Sequence, residues 1–125
     1  RKIKVKFEIT DPINHINMKS IDLVRVIGIL FDNAMEACQE HIDPLIDLSI
    51  IKTEQGIVFI IKNTYIRQEL DYSKLGNLGV TSKGQHRGMG LYNVRSILRE
   101  YDNVIIDTEY TEEYFTQFLE IYENN

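Results

Sequence analysis

At 125 residues, with 43% apolar and 26% charged side chains, the chain has the size and make-up of one soluble globular domain that can build its own core. A net charge of −5 and a pI near 5.2 argue against generic nucleic-acid binding, and no apolar run reaches the length a membrane-spanning helix requires. The single cysteine, Cys38, excludes an internal disulfide and reads as a small buried hydrophobe in a reducing compartment.

Residues 2–10 alternate, with Ile3, Val5, Phe7 and Ile9 on one side and Lys2, Lys4, Lys6 and Glu8 on the other, which predicts a half-buried strand. Lysines suit an edge strand, because their charge discourages pairing with another chain. Asp11, Pro12 and Asn14 mark a loop, and it carries His15. A phosphoacceptor histidine belongs on an exposed helical face, so His15 is a poor candidate.

Residues 20–40 read as the organising helix, with Ser20 as its cap. At 100° per residue, Leu23, Ile27, Leu30, Phe31, Ala34, Ala37 and Cys38 form the apolar side, with Val24 and Val26 at its margins. Asp22, Arg25, Asp32, Asn33, Glu36 and Glu40 form the opposite stripe. Asparagine is a mediocre helix former, so Asn33 needs a reason to be there, and its amide oxygen is a hard, neutral ligand suited to hydrated Mg²⁺.

After a break at 41–44, the β-branched runs 45–52 and 57–62 are joined by TEQG, a hairpin turning at Gly56, and the second strand ends at Asn63. Residues 64–85 lack periodicity, as a lid over a ligand would. Gly84, Gly88 and Gly90 then predict a loop feeding a helix at 91–100, whose Leu91, Val94, Ile97 and Leu98 share a face. Free amides at such a helix start, with Lys83, His86 and Arg87 nearby, invite an anion. Strands follow at 104–108 and 114–122, with Phe115 and Phe118 read as packing. Helices set between antiparallel hairpins predict an α+β, two-layer sandwich: one mixed, mostly antiparallel sheet with helices on one face.

Two stretches carry a resemblance. FDNAMEA at 31–37 resembles the N box of the histidine-kinase, gyrase, Hsp90 and MutL ATPase superfamily, and TSKGQHRGMGL at 81–91 resembles its lid and second glycine box. The form of both is similar to that of the peptide-pheromone quorum-sensing kinases of the accessory gene regulator C and competence-sensor type. This resemblance implies the Bergerat-type ATP-binding fold over residues 1–125, as one catalytic domain cut from a longer sensor kinase, which the start at Arg1 also suggests. It implies ATP and Mg²⁺ as cofactors, with Asn33 on the metal and Asn63 at the position where the family has an adenine-binding Asp. It further implies Ser82, Lys83, Gly84, Arg87, Gly88, Met89, Gly90 and Leu91 around the nucleotide, with Lys83 and Arg87 neutralising charge on the γ-phosphoryl group.

By the same resemblance, the phosphoryl group goes to a histidine on a separate dimerisation domain and then to a response regulator. The full-length kinase is expected to be a plasma-membrane homodimer with this domain in the cytoplasm. Two departures stand out. Ile29 occupies the place, four residues before Asn33, where many members carry a polar residue, leaving Asp32 or Glu36 to substitute. The glycines that normally follow the adenine-binding position are replaced by TYIRQEL, so Asn63 is either the adenine acceptor or a strand end. Arg25 either reaches a phosphate or pairs with Asp22 or Asp32. An anti-sigma-type regulatory kinase and a degenerate interaction module of the same fold remain as alternatives.

Overall fold

In the computed structural model, residues 2–66 and 85–123 are described, and the side chains of 85–90 lie outside that description. The order is β1 (Lys4–Ile9), α1 (Ser20–Cys38), β2 (Leu45–Lys52), β3 (Gly56–Thr64), α2 (Gln85–Leu98), β4 (Val104–Tyr110) and β5 (Tyr114–Tyr122). The strands form one sheet in the order β1-β2-β3-β5-β4. β1 runs parallel to β2, a pairing that needs a crossover, and α1 supplies it; the other pairs are antiparallel. The expected mixed, mostly antiparallel two-layer fold is therefore present.

Alternation along the strands decides which face is covered. Ile57, Phe59 and Ile61 of β3, Leu119 and Ile121 of β5, Val104 of β4 and Ile46 of β2 are buried, and the register sets them side by side. They share one core cluster with Val26, Leu30, Ala34 and Cys38 of α1 and Val94, Ile97 and Leu98 of α2, so both helices lie on this face. Each fully buried aliphatic side chain here contributes about 1.5–3 kcal/mol. The other face carries mixed side chains, including Lys62 with its ammonium 4.3 Å from the centre of the Tyr114 ring.

Several expectations change. Val26, expected at the margin of α1, is fully buried at its centre, while Val24 is 69% exposed. The burial stripe is the i, i+4 row Val26, Leu30, Ala34, Cys38, with Leu23, Ile27 and Phe31 packed along it. Ser20 does not cap α1. The cap position is Lys19, in extended conformation and without a side-chain bond, and the helix ends at Cys38. Along β1 the alternation holds and the strand is an edge, but it is not half-buried: Phe7 stays 60% exposed with Val5 and Ile9 on the helix-facing side. The cause is that α1 packs on β3 and β2, one strand short of the edge.

The start of α1 is held from the far end of α2. The Tyr101 hydroxyl accepts from the Lys19 amide at 3.3 Å and donates to Asp22 Oδ2 at 2.5 Å. Beside it, Asn103 Nδ2 donates to the carbonyls of Asn17 and Tyr122, and Asn17 Nδ2 to those of Tyr122 and Glu123. Burial pushes the Tyr101 hydroxyl above the ordinary tyrosine value of 10.0, and its bond to Asp22 adds to this. The folded chain thus holds this proton more tightly than the unfolded one, so the contribution is whole below pH 10 and is lost as the pH rises through the folded value. Tyr101→Phe is expected to cost about 1 kcal/mol at neutral pH. It should also reduce the loss of stability in alkali, which urea unfolding from pH 7 to 11 measures.

Candidate functional site

α1 and β3 bring the site together. From the fastening at Lys19, α1 crosses the sheet and delivers the chain through His41–Pro44 into β2, where the Leu45 amide donates to Thr64 Oγ1 at 3.0 Å. The C-terminal half of α1 and the end of β3 therefore lie over the same end of the sheet. Asn33 sits half-buried on α1 in this half, with exposed Asp32 and Glu36 beside it. The Asn33 amide has no hydrogen-bond partner among the described residues.

Asn63 is on the inward, helix-facing register of β3 and is only 2% exposed. Its Nδ2 donates to the Thr64 carbonyl at 2.9 Å, which fixes the amide and leaves Oδ1 as a buried acceptor without a partner among the described residues. A buried acceptor left unpaired costs about 1–3 kcal/mol. β3 runs one residue past Asn63, to Thr64. The next residue, Tyr65, is buried rather than part of a lid: its hydroxyl donates to the Thr111 carbonyl at 2.6 Å and its ring packs edge-on against Phe115.

Ile29 does not point along the polar stripe. It is half-buried and packs against the core, because the centre of the helix's inward arc has rotated towards Val26. Asp22 accepts from Tyr101, and no ion pair of Arg25 stands among the described residues, so the structural pairing read for Arg25 is not made.

The second glycine segment differs from expectation in its backbone. α2 begins at Gln85, six residues before Leu91, so Gly88 and Gly90 are helical rather than part of a loop. Two interior glycines weaken a helix by about 1 kcal/mol each. Here that is offset by burial of Val94, Ile97 and Leu98, with Leu91 packed beside them as expected. The unbonded first-turn amides accordingly belong to residues 85–88. Ser82, Lys83 and Gly84 lie outside the described residues, as do the side chains of Arg87 and Met89.

Sequence reasoning missed a polar pair beside Asn63. Gln117 of β5 is 7% exposed on the inward register, and its Oε1 accepts from the Thr108 hydroxyl at 2.8 Å. Its Nε2 has no partner among the described residues. The signal was present in β5, whose inward positions read Phe115, Gln117, Leu119 and Ile121, one amide in an apolar row.

No group of three or more His, Cys, Asp or Glu side chains that could hold a metal occurs among the described residues. A metal here would need phosphate oxygens to complete its shell, as Mg²⁺ on a nucleotide has.

The sequence profile of the GHKL domain matches residues 18–122. A comparison with curated proteins returns no match. Among solved structures, the catalytic domain of histidine kinase ThkA in a nucleotide-free form aligns with TM-score 0.79 at 21% identity, over 97% of this chain and 80% of that one. Histidine kinase AdeS of Acinetobacter baumannii aligns with TM-score 0.69 at 17% identity, over 99% of this chain and 56% of that one. Full-length ShkA in complex with AMPPNP aligns with TM-score 0.73 at 14% identity, over 95% of this chain and 25% of that one.

Proposed function

The chain belongs to the GHKL domain family, and from that premise we propose that it is the ATP-binding catalytic domain of a sensor histidine kinase. The observation that carries the reading is Asn63: a buried amide whose Nδ2 is tied to the Thr64 carbonyl, so that Oδ1 is left to accept from an amino group such as that of adenine. The AMPPNP bound to ShkA, a protein of the same fold, supports it.

In this reading Mg-ATP supplies the phosphoryl group, and the chain's own residues bind and orient it. Asn33 holds the metal through its amide oxygen, and Asn63 accepts from the adenine amino group. The first-turn amides of α2 and the positive end of its dipole receive the phosphates. Lys83 and Arg87 neutralise charge at the γ position, with Ser82, Gly84, Gly88, Met89, Gly90 and Leu91 lining the path. Phosphoryl transfer is catalysed mainly by positioning and electrostatics, and this set provides both. Asp32 or Glu36, both exposed beside Asn33, takes the role of orienting the acceptor, since Ile29 is committed to the core.

The acceptor is a histidine on a separate dimerisation domain, and the phosphoryl group passes on to a response regulator. The form of FDNAMEA and RGMGLYN supports placing the kinase among the peptide-pheromone quorum sensors, as the cytoplasmic catalytic part of a homodimeric plasma-membrane protein. The test is transfer of label from γ-labelled ATP to a separately expressed histidine-bearing domain of a pheromone kinase. Mg²⁺-dependent labelling of that histidine is expected. Nucleotide binding without transfer would move the chain to the anti-sigma-type regulators, and neither binding nor transfer to the interaction modules.

A further inference from the structure

We infer that Gln117 reads the edge of the nucleotide base together with Asn63, and so selects adenine over guanine. The inference rests on the nucleotide-binding reading above and adds to it a residue and a specificity. β3 and β5 pair Ile61 with Gln117 and Asn63 with Phe115, so Asn63 and Gln117 are diagonal neighbours on the helix-facing side of the sheet. Diagonal positions of an antiparallel pair lie about 7–8 Å apart. Side chains as long as Asn and Gln reach across such a gap, so both amides can face one base edge, whose adjacent amino group and ring nitrogen make side-by-side hydrogen bonds of about 2.9 Å.

Each amide is fixed by a bond to protein. Asn63 Nδ2 is tied to the Thr64 carbonyl, which leaves Oδ1 as an acceptor. Gln117 Oε1 is tied to the Thr108 hydroxyl, which leaves Nε2 as a donor. Both residues are more than nine-tenths buried, where an unpaired polar atom is costly and a ligand that pairs it gains. The acceptor and donor match the adenine edge, whose amino group donates and whose N1 accepts. Guanine presents a carbonyl and an N1–H in those places, so both contacts would set like against like. Thr108 is a positioning residue, acting only through the orientation of the Gln117 amide.

The test is calorimetric titration of the purified chain with Mg-ATP and with Mg-GTP, for wild type, Gln117→Leu and Thr108→Val. Wild type is expected to prefer ATP, and Gln117→Leu to lower the ATP-to-GTP affinity ratio by roughly ten- to a hundredfold. Thr108→Val should lower it less, by freeing the amide to rotate. The ligand-free unfolding midpoint of Gln117→Leu should fall no further than that of Thr108→Val, since both lose the bond between Thr108 and Gln117 and only the first also removes the unpaired buried donor; a purely structural glutamine would lower it further. Should Gln117→Leu not fold, Thr108→Val and Gln117→Glu carry the same comparison. ATP binding with an unchanged ratio in the variants, or a wild type indifferent to the base, overturns this inference alone. A wild type that binds neither nucleotide overturns the nucleotide-binding reading with it.

Discussion

An alanine at Gly56 is expected to lower stability by about 3 kcal/mol or more, and the midpoint of thermal unfolding by roughly 10–20 °C. The reason is backbone against backbone. A Cβ built there would lie 2.0 Å from the carbonyl oxygen of Ile121 and 2.9 Å from Cα of Tyr122, and neither can swing aside as a side-chain tip would. Gly56 also has φ +159° and pairs in register with Tyr122. The Thr53 amide donates to its carbonyl at 2.8 Å and its own amide donates to Thr53 Oγ1 at 3.1 Å, so the turn cannot relax without losing both bonds. β3 and β5 would have to separate at the edge where the hairpin begins. Urea unfolding of Gly56→Ala beside wild type measures the cost, and a difference under 1 kcal/mol would mean that the turn opens to take a methyl group without losing these bonds.

Asn33→Ala is expected to remove Mg²⁺-dependent phosphoryl transfer, by a factor of about 10² or more, while leaving the fold intact. Asn33 is half-buried on the polar side of α1 and its amide makes no hydrogen bond to the described residues, so its loss breaks no side-chain hydrogen bond among them. Alanine also has the better helix propensity, so the ligand-free variant should be as stable as wild type or slightly more so. Initial rates of labelling of the acceptor histidine, measured against Mg²⁺ concentration, report the effect. Undiminished transfer would assign the metal to another residue.

Much of the architecture is legible because it is written in short-range periodicity. The 45–52 and 114–122 runs match the observed β2 and β5 to the residue, since alternation and turn residues bound them on both sides. α1 is equally plain as a helix, but which arc it buries is settled by the sheet beneath it. That moved Val26 to the centre and turned Ile29 inward. The extent of α2 was hidden by Gly88 and Gly90, whose local preference for loops is overridden by packing at Val94, Ile97 and Leu98. β1 shows the converse: its alternation is faithful, yet the sequence could not say that the helices stop short of it.

The candidate site divides in the same way. Asn33 stands out within a single helix, and Asn63 at a single strand end, so both can be found locally. What gives Asn63 its meaning is the bond from its Nδ2 to Thr64, which only the fold shows. Gln117 stands out in β5 as one amide in an apolar row, but its partners emerge only when β5 is registered against β3 and β4, because its neighbours on the inward face, Ile61 and Thr108, are dozens and nine residues away in the chain, respectively.

The most direct measurement is thermal unfolding of the purified chain with and without Mg-ATP. A ligand that binds only the folded state stabilises it by about 2.7 kcal/mol at a hundred times its dissociation constant. A Mg²⁺-dependent rise in the midpoint with ATP, absent with Mg²⁺ alone, is the predicted result. An unchanged midpoint at millimolar Mg-ATP would contradict the assignment of this domain as an ATP-binding catalytic unit.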